Sequence, residues 1–237
     1  VKNTFLFLFL MFFSSSCSSK KIENTITTSQ EIKTGADNFE VYLPLLKDKK
    51  IGIATNQTGI LSNKTHLVDF LLSKNINIQT IFAPEHGFRG TADAGEHIID
   101  GKDTKTGLPI ISLYGDNRKP KPEQLAGIDL IVFDLQDVGL RFYTYISTLH
   151  YVMEACAENN IPMILLDSFV RMHPVTILYG MTIGEYGQMI NGEKWLQNGT
   201  QCTLTVVPCV YYNRKMSYSL PVKPSPNLPN EQSINLY

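Results

Sequence analysis

Two periods of polar and apolar positions take turns along this chain. KKIGIAT (49–55) is an apolar run that ends in the polar turn NQTG (56–59), the outline of a strand and its exit. THLVDFLLSKN (65–75) sets Leu67, Val68, Leu71 and Leu72 at helical spacing, with Thr65 as the expected cap. IQTIFA (78–83), PIISLYG (109–115), DLIVFDLQD (129–137) and IPMILLD (161–167) predict further strands. The near-continuous apolar character of 129–137 suits a sheet covered on both faces. Between them, PKPEQLAGI (120–128) is a short helix opened by proline. TYISTLHYVMEACAENN (144–160) is a helix with an inner stripe of Ile146, Leu149, Val152, Met153 and Ala157. In TIGEYGQMINGEKWL (182–196), Thr182 and Glu185 form a capping box, so Glu185 reads as a cap rather than a catalyst. CTLTVVPC (202–209) alternates as a strand. This βαβ rhythm predicts an α/β fold around a doubly wound, mostly parallel sheet.

The first residues follow neither period. Lys2 precedes the unbroken apolar run 5–13 and then SSSCSSK, the layout of a secretory signal with small residues at its cleavage site. The run is too short for a permanent span, which needs roughly 20 apolar residues. The lone Cys17 after small residues resembles a bacterial lipobox, with Ser14 where a leucine-like residue is usual. That resemblance implies cleavage before Cys17, lipidation there, a membrane anchor and a place in the cell envelope. The chain thus divides into a lipoprotein signal (1–17), a solvated tether (18–38), a doubly wound domain (39–170) and a smaller, incomplete C-terminal α+β domain (171–237).

Charge is balanced, 21 basic against 22 acidic residues, and no basic stripe argues for nucleic acid. Neither GxGxxG after the first strand nor GxxxxGK[ST] occurs, so no nucleotide cofactor is signalled. Cys156, Cys202 and Cys209 match no disulfide framework and no zinc pattern; Cys156 belongs to a core.

The chemistry gathers at strand ends, where open α/β sheets bind ligands. FAPEHGFRG (82–90) brings Glu85, His86 and Arg89 together between Gly87 and Gly90. Asn56 and Gln57 follow the first strand; Asp134, Gln136 and Asp137 end the strand at 129–137, with Arg141, Tyr143 and Tyr145 beyond; Asp167 ends the next. Tyr143 and Tyr145 offer rings to a sugar face or pack at a helix start.

NQTG (56–59), PEHGFRG (84–90), IDLIVFDLQDVGLRFYTYISTL (128–149), HPV (173–175) and GMTIGEY (180–186) together resemble the NamZ-type exo-β-N-acetylmuramidase family, the former domain of unknown function DUF1343. The resemblance implies a Rossmann-like N-terminal domain, a smaller C-terminal domain and a cleft between them. It implies removal of terminal β-N-acetylmuramic acid (MurNAc) from peptidoglycan fragments without a cofactor. His173 and Tyr179 would then lie near the cleft, and the proline-rich 221–230 would lie against it. Two departures stand out. The Arg-Pro-Asn-Pro segment and several dozen following residues are missing, since Asp167 runs directly into SFVRMHPV (168–175), and the chain stops after PSPNLPN (224–230).

Glycoside hydrolysis needs a proton donor and stabilisation of an oxocarbenium-like transition state. Glu85 is the expected general acid, with His86 either orienting it or binding a sugar hydroxyl, and with Asp134 or Asp137 as the second carboxylate. Arg89 suits the lactyl carboxylate of MurNAc. Asp93 and Glu96 are secondary candidates. The rival expectation is a catalytically impaired lipoprotein that binds muropeptides or related glycans. A third is a metal-dependent hydrolase using His86, His97 and a carboxylate, weakened by the lack of a ligand-rich cluster.

Overall fold

At the centre of the sheet lies strand β1 (Lys50–Thr55), whose residues Ile51–Thr55 are all buried. The computed structural model describes residues 33–89, 100–137, 144–168 and 182–210. Helix α1 (Phe39–Leu46) precedes β1, and α2 (Leu67–Ser73) leads to β2 (Asn77–Ala83). A two-residue strand β3 (Gly101–Lys102) and β4 (Pro109–Ser112) follow, then the short helix α3 (Pro122–Leu125). Strand β5 (Leu130–Asp134), helix α4 (Tyr145–Glu158), strand β6 (Met163–Leu166), helix α5 (Ile183–Gly192) and strand β7 (Leu204–Val207) complete the described elements.

The seven strands pair in the order β3-β4-β2-β1-β5-β6-β7. Every pairing is parallel except β3 with β4. From β1 the chain builds outward through β2 and β4, then returns to lay β5 on the other side of β1. The order reverses there, and such a reversal opens the crevice in which doubly wound sheets bind ligands.

Alternation along the strands feeds two cores. Ile51 and Ile53 of β1 and Val132 of β5 join Tyr42 and Leu46 of α1 and Leu67, Val68 and Leu71 of α2. Ala54, Phe82, Ile131 and Phe133 face the opposite way, onto Leu125 of α3, Leu149, Val152 and Met153 of α4, and Ile183 and Ile190 of α5. Each large apolar side chain buried this way contributes about 1.5–3 kcal/mol. Helices on both faces explain why the strands read as solid apolar runs.

Four local features depart from the expectations. His66, not Thr65, caps α2: its Nδ1 accepts from the Val68 N–H at 3.2 Å. Helix α1 forms despite Pro44 in its last half, held by the buried pair Tyr42 and Leu46. Residues 33–38, expected in the solvated tether, are fixed to the sheet. Lys33 bridges Val210, and the Gly35 N–H donates to the Asp167 carbonyl at 2.8 Å. A Cβ at Gly35 would lie 2.3 Å from the Val207 oxygen, so only glycine fits there. Residues 182–210, expected in a separate domain, place α5 and β7 on this same sheet. The capping box of Thr182 and Glu185 is present.

Candidate active site

The tips of β1 and β5 interlock. Asn56 is fully buried, its Nδ2 donating to Tyr145 Oη at 2.9 Å and its Oδ1 accepting from the Thr58 N–H and Oγ1 at 2.9 and 2.6 Å. The Gln136 N–H donates to Thr58 Oγ1 at 3.2 Å, which ties the two tips together. His66 Nε2 lies 2.9 Å from the Asn56 carbonyl. A carbonyl only accepts, so Nε2 carries the proton, and Nδ1 is left free to accept from Val68. Burial pushes this imidazole below its ordinary pKa, in keeping with a neutral ring.

These contacts correct two expectations. Asn56 was expected to touch substrate, but its polar atoms are spent inside the floor. Tyr145, read as a ring for a sugar face or as packing at a helix start, takes the second role: its ring is packed in the core and only 2% exposed. Among the described residues, Gln57 Oε1 after β1, Asp134 Oδ2 and Gln136 Nε2 at the end of β5, and Ser168 Oγ after β6 are sealed from solvent without a hydrogen-bond partner. Burial raises the Asp134 carboxyl to about 7. Asp137 is buried and held by interactions of its own.

Glu85 sits one strand over. After β2, the Gly87 N–H donates to the Pro84 carbonyl at 3.1 Å, closing a four-residue turn over Glu85 and His86. His86 adopts φ +71° and Gly87 φ +73°. A side chain at the third turn position with positive φ is strained, and such strain concentrates at functional sites. The turn presents Glu85, half-buried, to a cavity of about 320 Å³. Leu113, Tyr114 and Arg118 from the loop after β4 form one wall; Thr144, Ser147, Thr148 and Tyr151 from the start of α4 form the other. Thr144 Oγ1 donates to Glu85 Oε2 at 3.3 Å. His86, expected beside Glu85 in catalysis, shapes the turn with its backbone and is not among the lining residues. Asp134, Asp137, Gln57 and Gln136 do not line it either.

Arg89 is already occupied. Its Nε and Nη2 bond Asp103 Oδ1 and Oδ2 at 3.1 and 2.8 Å, and Nη2 reaches Asp69 Oδ1 at 3.4 Å. Its guanidinium lies 4.5 Å over the Phe88 ring, which packs edge-on against His66. This fork holds the Asp103 carboxyl down to about 2. Arg89, expected to carry the lactyl carboxylate, instead fastens the Glu85 turn to Asp103 and Asp69 through Nε and Nη2, and it does not line the cavity beside Glu85.

Asp167 is likewise structural. Its Oδ1 accepts from the Gly184 N–H and its Oδ2 from Thr182 Oγ1, both at 2.8 Å, at the start of α5. Burial raises it to about 6. It lines a different cavity, of about 350 Å³, with Glu185, Gln188 and Cys209. Cys17, Asp93, Glu96, His97, Arg141, Tyr143, His173, Tyr179 and the 221–230 segment lie outside the described residues. Among those described, no cluster of three His, Cys, Asp or Glu side chains could hold a metal ion.

Sequence reasoning missed most of the cavity wall. The strand-end rule that singled out Glu85 applied equally to LYGDNRKP after β4, where Tyr114 and Arg118 stand. Thr144, Ser147, Thr148 and Tyr151 fall at helical spacing on the polar side of α4, a stripe that reads as an ordinary solvated face.

Comparison with known proteins agrees with this architecture. The family model described as "Exo-beta-N-acetylmuramidase NamZ, N-terminal" matches residues 51–168 and 166–232, two pieces that meet at Asp167. The peptidoglycan beta-N-acetylmuramidase NamZ of Bacillus subtilis (strain 168) is 38% identical over 266 aligned residues, covering 100% of this chain and 63% of that protein. Two DUF1343 family proteins of Bacteroides fragilis NCTC 9343 have similar crystal structures, each 40% identical. The first gives a TM-score of 0.72 over 86% of this chain and 59% of its own; the second gives 0.68 over 79% and 52%. The chain thus spans less than two thirds of the length of these relatives.

Proposed function

The chain belongs to the NamZ exo-β-N-acetylmuramidase family, and from that premise we propose that it is an exo-acting glycoside hydrolase releasing terminal β-MurNAc from peptidoglycan fragments. Glu85 is its general acid. The carrying observation is that the strained turn after β2 delivers this one carboxyl to a sugar-sized cavity walled by hydroxyls and tyrosines. Thr144 holds the carboxyl by Oε2, which leaves Oε1 to pass its proton to the leaving glycosidic oxygen as the bond to the anomeric carbon breaks; water then adds to that carbon, and the proton it releases restores the carboxyl. Tyr114, Tyr151 and the hydroxyls of α4 suit the faces and edges of a sugar ring. Anchoring through a lipid on Cys17, at the cell envelope, belongs to the same reading and rests on the apolar run 5–13 and the SSSCSSK that follows it.

The test is turnover of a chromogenic β-MurNAc glycoside by the full chain. Glu85→Gln is expected to lower kcat by about 10²–10⁴-fold while MurNAc binding persists. Full activity in that variant would overturn the assignment. A second reading, a sugar-binding lipoprotein without turnover, is favoured by one observation: the family model matches in two pieces that meet at Asp167, and the alignment to the Bacillus subtilis relative runs over 266 positions against 237 residues here. Binding without hydrolysis in the unmutated chain would select it.

A further inference from the structure

The cavity beside Glu85 contains a cation whose task nothing so far explains. Arg118 stands in the loop that follows β4, past Gly115, whose φ of +69° turns the chain. The Arg118 Nε donates to the Gly115 carbonyl at 3.0 Å, which fixes the plane of the guanidinium at its root. Among the described residues, both Nη groups lack a partner, and no carboxylate lies within ion-pair distance. The adjacent basic residues are committed elsewhere: Lys119 reaches Glu158 at 2.7 Å and Glu154 at 3.4 Å, and Arg89 is bound by Asp103 and Asp69. Arg118, exposed at the mouth, is therefore the cation that the described walls offer to a ligand, and Glu85 is the one carboxyl that shares the lining with it, outside ion-pair distance.

We propose that Arg118 is the carboxylate-reading residue of this cavity, engaging the lactyl carboxylate of a terminal MurNAc and selecting that sugar over uncharged analogues. The inference rests on the glycosidase reading above and deepens it. A guanidinium with two free Nη groups presents parallel N–H donors that match the two oxygens of a carboxylate, which an ammonium cannot do. A cavity of about 320 Å³ takes one sugar, so a carboxylate held by Arg118 and a glycosidic oxygen facing Glu85 belong to the same residue of the glycan. Arg118 thus acts as a positioning and specificity residue, and Glu85 retains the chemistry.

The test separates this role from the glycosidase reading by measuring binding without turnover. Calorimetry on the full chain compares free MurNAc with its lactyl amide, which keeps the sugar and loses the charge. The unmutated protein is expected to prefer the acid by about 10- to 100-fold, the range for a hydrogen bond to a charged group. Arg118→Gln is expected to erase that preference by weakening the acid and leaving the amide unchanged. Arg118→Lys is expected to restore part of it. Equal weakening of both ligands, or an undiminished preference in Arg118→Gln, overturns the proposal, as does the absence of any preference in the unmutated chain. Turnover of the β-MurNAc glycoside is scored separately. Its absence, with the acid preference intact, sinks the enzyme reading and leaves the carboxylate site standing.

Discussion

Replacing Asp103 by Asn tests whether the turn that carries Glu85 is held by charge. Asp103 is 2% exposed at its side chain, accepts two bonds from Arg89 and takes two more from the Thr106 N–H and Oγ1 at 3.0 and 2.6 Å. The Arg89 fork is the chief reason its carboxyl falls from 3.8 to about 2. A drop of nearly two pH units in the folded state corresponds to about 2.4 kcal/mol of stability at pH 7. The sign follows from the depressed value: this stability is present in full above the unfolded pKa and disappears as pH falls through the folded one. Roughly half should remain at pH 3. Asp103→Asn keeps the shape and can still accept from Thr106, so the loss isolates the ion pair with Arg89. Urea unfolding at pH 7 should show the variant less stable by about 2 kcal/mol, with the gap narrowing toward pH 3. Since among the described residues Arg89 then keeps Asp69 at 3.4 Å as its ion-pair partner, kcat on the MurNAc glycoside should fall as well. A gap of equal size at both pH values would refute the electrostatic account, and a negligible gap at pH 7 would show that the strut carries no load.

Two further outcomes follow from the floor beneath the cavity. Tyr145→Phe removes the acceptor of the buried Asn56 Nδ2 and should cost about 1–3 kcal/mol in chemical denaturation; an unchanged midpoint would mean the Asn56 knot is dispensable. Asp134 is raised to about 7 by burial, so folding favours its protonated form and its ionisation costs stability increasingly between its unfolded value and pH 7. Asp134→Asn should therefore gain on the unmutated chain as pH rises from 5 to 8, and a gain independent of pH would contradict the assignment.

The sheet was legible because its strands obey one physical demand. Helices cover both faces, so β1, β5 and β6 must be apolar throughout, and that run is visible without coordinates. Capping was legible where a side chain acts on its own helix, as with Thr182 and Glu185, and illegible where the cap is a histidine bonded to another loop, as with His66. Helix α1 was hidden because Pro44 breaks its local pattern; what holds it is Tyr42 and Leu46 meeting the far side of the sheet. The site was half legible. Proximity to a strand end could be read, but whether a polar side chain at that end is free or already bonded depends on partners far away in sequence. Asn56 meets Tyr145 89 positions later, and Arg89 meets Asp69 from helix α2 and Asp103 from the loop after β3. Residue type alone could not separate Arg89, a strut, from Arg118, a cation with open donors.

This division of labour has a physical rationale. The reversal in strand order places the natural crevice over β1 and β5, yet in this chain those tips are sewn shut by Asn56, Thr58, His66 and Tyr145. A polar network with its donors and acceptors matched is rigid, because moving any member strands a buried partner. The Glu85 turn stands directly beside it: Phe88 packs on His66, and Arg89 on Phe88. The network thus acts as a plinth, transmitting the position of β1 and α2 to the turn after β2, while α4, anchored through Tyr145, brings Thr144 to Glu85 from the other side. An acid that must meet one glycosidic oxygen within a few tenths of an ångström benefits more from such a floor than from another polar group in the pocket. With Asn56, Thr58, His66 and Tyr145 bonded to one another, the proposed division leaves Glu85 and Arg118, which line the cavity, as the groups that would face the ligand.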